Sequence, residues 1–376
     1  MERDDLERRL IDFVNRMRRD ADPPLAIDPE TALFEEGVIN SLRILDLIAF
    51  VEELTRTRIP DAAVRLANFR SVRAIAAAFG GEGSERIPAM SGPADAGATA
   101  KGEAKLHVFA QRFGRARFAR PFEELTARGE LALAPPGRAV FRGTSRRLLG
   151  WLDSVVRGWA RELGAEVETH PAPLRGVMPP AACYAVYGAR KGTRLHDTPL
   201  IVTTRGRCFR DEADFEPALG RLRVFEMREI VALGSRHEVE RFRQEMIDRA
   251  RGLVSGLDLA GCIQIANDPF FLQGLGNESR GRRLMQQVLP LKYELQLSLD
   301  ASGRSCAVAS FNHHLDFFGR RFEIRLASGA IAHTGCVAFG LERWVLAFLA
   351  QHGTDDRAWP FRARESTREV HHESCA

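Results

Sequence analysis

The sequence predicts an α+β protein in which an antiparallel sheet flanked by helices is preceded by a small all-α four-helix bundle. Three observations predict it. Residues 1–80 carry apolar positions at helical spacing, interrupted by Pro23, Pro24, Pro29 and Pro60. Residues 81–104 are dominated by Gly, Pro, Ala and Ser, the composition of a linker. From about residue 105, strand-like runs follow one another without crossover helices, which favours antiparallel pairing. A chain of 376 residues has room for the two or three domains this implies. The division is 1–80, a helical bundle; 81–104, a linker; 105–354, the sheet domain; and 355–376, a polar Arg-rich tail expected to lack fixed structure.

Taken in order, residues 4–18 read as a charged amphipathic helix, and Leu33-Phe34 packs a loop ahead of Gly37. From Ser41, the positions Leu42, Leu45, Ile48, Ala49 and Val51 have helical spacing, with Ser41 suited to the N-cap. Ile59-Pro60 ends that region, and Ser71-Val72 to Phe79 gives a last short helix. The linker that follows spans about 25–30 Å by random-coil scaling. In the sheet domain, helices are expected at 145–163, 236–255 and 340–352. Strands are expected at 183–187, 199–203, 224–233, 292–299, 305–311 and 321–326, with Asp300-Ala301-Ser302-Gly303 as a turn between two of them.

Composition excludes several classes. No run approaches the length of apolar sequence that spans a membrane. Met1-Glu2-Arg3-Asp4-Asp5 is mixed in charge and leads into a helix, so a secretory signal is not expected and the cytoplasm is the expected location. The 54 basic and 50 acidic residues nearly cancel, which argues against a nucleic-acid partner. Lys101, Lys105, Lys191 and Lys292 are the only lysines, which singles out Lys292 inside an apolar segment. Six scattered cysteines without a CxxC pair read as buried thiols or metal ligands rather than disulfides.

Two motifs carry chemistry. The first is Gly37-Val38-Ile39-Asn40-Ser41-Leu42. A serine opening a helix places its hydroxyl beside free backbone N–H groups and the positive end of the helix dipole, which suits a phosphodiester. Taken alone, Ser41 reads equally as an ordinary N-cap. Near the middle of an 80-residue helical bundle, it resembles the modified serine of acyl and peptidyl carrier proteins. That resemblance implies a 4′-phosphopantetheine arm on Ser41, installed by a phosphopantetheinyl transferase, with Asp46, Glu52 and Glu53 facing basic partners. Asn40 departs from that pattern, which has Asp before the serine.

The second is Cys208-Phe209-Arg210-Asp211-Glu212, followed by Arg221-Leu222-Arg223-Val224-Phe225-Glu226-Met227-Arg228-Glu229. A strand, a loop and a returning strand set Arg210 and Phe225 across from each other. Arg210 can fork onto an α-phosphate where charge develops. Phe225 offers a face for adenine, Glu212 an acceptor for its amino group, and Arg343 in Phe339-Gly340-Leu341-Glu342-Arg343 a guanidinium for the γ-phosphate. Any one of fifty arginines is unremarkable; the ordered set resembles class II aminoacyl-tRNA synthetases.

The resemblance narrows further on Pro179-Pro180-Ala181-Ala182-Cys183-Tyr184, Ala266-Asn267-Asp268-Pro269-Phe270-Phe271, Leu291-Lys292-Tyr293-Glu294-Leu295, Ser310-Phe311-Asn312-His313-His314 and Gly335-Cys336-Val337-Ala338. Over residues 170–353 the chain is similar to amino acid:[carrier protein] ligases, truncated relatives of the atypical, zinc-dependent seryl-tRNA synthetases. The resemblance implies a class II synthetase-type antiparallel sheet working as a homodimer. It implies ATP contacts at Arg210, Glu212, Arg221, Leu222, Phe225, Lys292, the strand from Ala307 to Ser310, and Arg343. It also implies zinc held by Cys183, Glu229 and Cys336, with an open position for the amino group of the substrate. Cys208, Cys262 and Cys306 read as core, His313 and His314 as structural, and Glu294 and Glu342 as held to magnesium or to structure.

The implied activity is activation of a small amino acid of the glycine or alanine class by Mg-ATP, with Arg210 and Arg343 catalytic, then transfer to a carrier thiol. The carrier is the fused one at Ser41 or a separate protein, and neither tRNA nor membrane is expected as a partner. The rival readings are a zinc-dependent seryl-type tRNA synthetase and a non-catalytic amino-acid sensor derived from a synthetase. The retained Arg210, Glu212 and Arg343 argue against the sensor.

Overall fold

A computed structural model describes residues 3–18, 27–33, 38–39, 43–60, 63–80, 107–111, 118–170, 178–210, 215–266 and 291–361. The chain divides into two compact units, Met1–Lys105 with Ala266–Leu291, and Leu106–Ile265 with Lys292–Ala376.

The first unit contains α1 (Arg3–Arg18), α2 (Ile44–Thr55), α3 (Leu66–Phe69) and α4 (Val72–Phe79). Leu6, Leu10 and Val14 form a buried stripe on α1, and Ile44, Leu47, Ile48 and Val51 form one on α2. Phe13 and Phe50 stack with centroids 3.9 Å apart. Ser71 caps α4, its Oγ accepting from the Ala74 N–H at 3.2 Å. The helix expected to open at Ser41 begins at Ile44 instead, with Arg43 at its N-cap. Ser41 lies outside the described residues.

The second unit contains, in order, β1 (His107–Gln111), α5 (Pro121–Ala127), β2 (Leu131–Ala134), β3 (Arg138–Phe141), α6 (Gly143–Glu162), β4 (Glu166–Glu168), α7 (Cys183–Ala189), β5 (Arg194–Leu195), β6 (Leu200–Phe209), β7 (Val224–Gly234), α8 (Arg236–Gly256), β8 (Gly261–Ile265), β9 (Lys292–Ser298), β10 (Ser305–Leu315), α9 (Phe317–Arg321), β11 (Arg325–Leu326), β12 (His333–Gly340) and α10 (Leu341–His352). The main sheet runs β1-β8-β9-β10-β12-β7, extended by β6 and β4, with the β2–β3 hairpin joined at the start of β7. It is mixed rather than purely antiparallel, because β4 joins β6 and β3 joins β7 in parallel.

Register fixes what shares a face. Lys292 is opposite Asn312, Asn312 opposite Cys336, Ala338 opposite Glu229, and Ser310 opposite both Glu294 and Ala338. Paired residues project to the same side, so these polar groups all occupy one face. The other face carries Ile230, Ala232, Phe311, Val337 and Phe339, and packs on α6, α8 and α10. Phe242, Met246, Ala250 and Val254 of α8, and Leu148, Leu152 and Val156 of α6, supply that layer at helical spacing. The start of α8 is written into the sequence as Ser235-x-x-Glu238, a reciprocal capping box. At Gly335, a Cβ would meet Val239 Cγ1 at 2.7 Å and Asn312 O at 2.8 Å, so only glycine lets α8 lie this close to β12.

Three further expectations are corrected. Residues 183–187 form the helix α7, with Cys183, Val186 and Tyr187 buried at i, i+3 and i+4. The run 321–326 is mostly the end of α9 and a turn through Glu323 at φ 57°, leaving only the short β11 to pair with β5. The tail is ordered through residue 361: Trp359 is buried against Phe348, and Phe361 stacks on Trp151 at 3.7 Å. Its polar composition conceals these two aromatic anchors.

Candidate functional site

On the polar face, three acidic side chains from distant parts of the chain converge. Cys183 opens α7, Glu229 sits within β7 and Cys336 within the neighbouring β12. One sulfur or carboxylate oxygen from each lies within 4.8 Å of the others. Gly206 on β6 allows the approach of α7, since a Cβ there would touch that of Ala182 at 3.2 Å. The Ala182 N–H then donates to Glu229 Oε1 at 2.7 Å. All three residues are buried, at 0%, 0% and 1% exposure respectively.

The electrostatics are unusual for an interior. Burial pushes the Cys183 thiol well above its ordinary range and raises the Glu229 carboxyl against the pull of both thiols and the Ala182 amide. At Cys336, the Cys183 thiol pulls downward, but burial and the Glu229 charge leave a net upward shift. Glu229 Oε2 is buried with no hydrogen-bond partner. Two soft sulfurs and an unclaimed carboxylate oxygen, shielded from water, fit a divalent cation of the zinc type better than any set of hydrogen bonds. Three protein donors leave such an ion an open position.

A second layer surrounds Cys336. His314 Nε2 lies 3.7 Å from its sulfur. On the other side of that ring, Nδ1 meets the Tyr187 hydroxyl and Thr334 Oγ1, both at 3.2 Å. Burial pushes His314 down to about 3, so it is neutral at physiological pH. Asn312 Nδ2 donates to Ser310 Oγ at 3.0 Å and to Cys336 Sγ at 3.5 Å, while its Oδ1 is buried without a partner. His313 turns to the opposite face, 3.4 Å from His333. The adjacent histidines therefore have separate surroundings. Asn312, Thr334 and Tyr187 were not singled out from the sequence. Strand alternation through 310–314 already places Ser310, Asn312 and His314 together, whereas Tyr187 requires the helical reading of 183–189.

Of the basic residues expected to contact ATP, only Lys292 lies on a strand; the others stand at element ends and in connections. Arg210, just beyond β6, donates from Nε to Pro180 O at 3.0 Å and holds its guanidinium 5.1 Å from the centre of the Phe225 ring. Arg343, in the first turn of α10, donates to Gly220 O at 3.2 Å and Ala307 O at 3.3 Å. Arg221 is exposed and Leu222 buried. Lys292 Nζ pairs with Glu294 Oε1 at 2.8 Å. Glu342 is buried, both oxygens accepting from the Glu226 N–H at 2.9 and 3.0 Å, and it also borders the cavity described below. Glu212 lies outside the described residues. A cavity of about 380 Å³ opens between β3, α6 and β6 and is lined by Arg138, Arg146, Arg205, Arg207 and Phe225; none of the three cluster residues reaches it.

No family model matches the chain. Two amino acid–[acyl-carrier-protein] ligases of Bradyrhizobium diazoefficiens are similar to it. Ligase 1 is 37% identical over 206 residues, covering 54% of this chain and 61% of the relative. Ligase 2 is 39% identical over 197 residues, covering 52% and 56%. The chain thus spans about six tenths of the length of these relatives. A type-2 serine–tRNA ligase of Methanothermobacter thermautotrophicus is 33% identical over 187 residues, covering 49% of this chain and 36% of the relative. Among solved structures, the M. kandleri SerRS in complex with A. aeolicus tRNASec aligns with a TM-score of 0.59 and 22% identity, over 68% of this chain and 62% of that one. The cytoplasmic serine–tRNA ligase of Naegleria fowleri, in complex with AMP, aligns at 0.54 and 12% identity, over 67% and 62%. At these identities the likeness is one of fold: a mixed sheet flanked by helices, of the class II synthetase type.

Proposed function

We propose that the chain is a ligase that activates a small amino acid, of the glycine or alanine class, with Mg-ATP and transfers it to the thiol of a carrier protein. The observation that carries this reading is the buried Cys183–Glu229–Cys336 trio with its unclaimed Glu229 oxygen, on the sheet face that also bears Lys292 and Ser310. The two ligase relatives support the carrier as acceptor.

Cys183, Glu229 and Cys336 would hold zinc, which when bound supplies a Lewis-acid position that selects a neutral amine. The substrate carboxylate then attacks the α-phosphate of ATP, and pyrophosphate leaves. Arg210 stabilises the charge on that phosphate, Phe225 stacks on adenine, and Arg343 meets the outer phosphates. Glu212, Arg221, Leu222, Lys292 and the strand from Ala307 to Ser310 complete the ATP site. The carboxylate arrives ionised, so positioning and electrostatics do most of the work. The carrier thiol attacks the adenylate carbonyl, and AMP leaves. The carrier is the fused one, through 4′-phosphopantetheine on Ser41, and the enzyme works as a homodimer in the cytoplasm. A second reading, transfer to tRNA, is favoured by the similarity to type-2 serine–tRNA ligases.

The test is intact mass after co-expression with a phosphopantetheinyl transferase and incubation with ATP, Mg²⁺ and each amino acid. The expected result is a gain of one aminoacyl group on top of the arm, lost in Ser41→Ala and in Cys336→Ser. Charging of tRNA without acylation of the protein would establish the second reading instead.

A further inference from the structure

Cys183 and Cys336 are not equivalent, and the difference lies in what meets each sulfur. Cys336 Sγ faces two nitrogens, Asn312 Nδ2 at 3.5 Å and His314 Nε2 at 3.7 Å. Cys183 stands against the Cys336 thiol and the Glu229 carboxyl, with the Tyr187 hydroxyl beside it. The His314 ring is held against rotation: Phe318 packs edge-on at 5.0 Å and Tyr187 edge-on at 5.9 Å, and Tyr187 in turn stacks on Phe318 at 4.4 Å. His314, Tyr187 and Phe318 are all fully buried.

The hydrogen-bond logic of this arrangement has one solution when Cys336 is a thiolate. A lone pair on Nε2 would oppose the sulfur, so the proton must sit on Nε2 and point at it. Nδ1 must then accept, and it faces two hydroxyls, Tyr187 and Thr334, each able to donate. Should Tyr187 donate to Cys183 instead, Thr334 still serves Nδ1. The two hydroxyls fix the tautomer, and the aromatic clamp fixes the direction.

We infer that His314 is a positioning residue that donates an N–H···S hydrogen bond to Cys336, and that Tyr187 and Thr334 set its tautomer for that purpose. The bond draws charge from this sulfur, strengthens the hold on a bound cation by fixing the ligand in place, and leaves the cation more electron-poor toward an incoming amine. This rests on the reading of Cys183, Glu229 and Cys336 as metal ligands.

The full-length protein is loaded with zinc, and its affinity is measured by competition with a chromophoric chelator; a cobalt-loaded sample reports the sulfur-to-cobalt charge-transfer band. His314→Leu is expected to weaken zinc binding by about 10- to 100-fold and to move that band to lower energy. His314→Gln, which keeps an N–H near the position of Nε2, is expected to stay within about threefold of the wild type. Should His314→Leu fail to fold, Tyr187→Phe combined with Thr334→Val removes both hydroxyls facing Nδ1, with a loss in affinity in the same direction. Wild-type affinity and an unmoved band in His314→Leu, or unchanged affinity in the double variant, would overturn the inference while leaving the metal centre standing. A wild-type protein that takes up no zinc through Cys183 and Cys336 would remove both.

Discussion

Glu342 shows how far a residue's role departs from its place in a motif. It stands beside Arg343, yet it is buried and serves the Glu226 backbone amide. Burial pushes its carboxyl up from 4.5 to about 7. The folded protein therefore holds this proton more tightly than the unfolded chain does. The stabilising effect is fully present below about pH 4.5 and is lost as the pH rises through about 7, an effect on the order of 3 kcal/mol. His314 works in the opposite sense, because its lowered pKa favours the folded state above pH 6.5 and costs stability on acidification. Glu342→Gln isolates the first effect, since its amide oxygen can still accept from Glu226. Its denaturation midpoint relative to the wild type is expected to climb from pH 5 to about pH 7 and to level off above that. A constant offset over that range would mean that the Glu342 carboxyl titrates normally.

Between elements, a buried ion pair joins the helical layer to the sheet. Asp153 of α6 accepts from Arg228 Nε at 2.7 Å and Nη2 at 3.3 Å, and from Arg205 Nη1 at 3.3 Å. Arg205 also pairs with Glu226. Asp153→Ala would strand the Arg228 guanidinium in the interior and is expected to cost about 3–5 kcal/mol in chemical denaturation. Asp153→Leu with Arg228→Met is expected to recover most of that loss, and failure to recover would show that the pair does more than compensate its own burial. None of this is legible in the sequence, where Asp153 and Arg228 are two charges among many. The strands β7, β9 and β10 are legible as apolar runs: Ile230, Val231 and Leu233 in β7, Leu295 and Leu297 on alternate positions in β9, and Val308 and Phe311 in β10. The Cys183 segment misleads because Ala181-Ala182-Cys183-Tyr184-Ala185-Val186-Tyr187 is apolar on any period, and only packing against β6 and β7 decides for a helix. Of the site, Arg210 and Phe225 follow from strand, loop and strand alone. The trio of donors does not, since contacts between remote segments leave no local spacing to read.

For the whole molecule, the proposed function turns on a carrier and an activating unit sharing one chain. On that reading, with residues 81–104 as a flexible tether, the two ends would stand at a mutual concentration in the millimolar range. Loading of Ser41 is therefore expected to be first order, with a rate constant unchanged between about 0.1 and 10 µM protein. A rate that rises in proportion to protein concentration would show that each catalytic unit serves carriers on other molecules.

The pairing of Ala338 with Glu229, and of Asn312 with Cys336, carries one more consequence. A slip of one position in β12 would bring Gly335 or Val337 to the place of Cys336 and swing the sulfur into the apolar layer. The three donors therefore meet only after β12 has settled between β7 and β10 in its single correct alignment. Capture of an ion by all three is then a certificate of assembly, issued by the finished sheet and unavailable to a chain whose central strand is one step out of place.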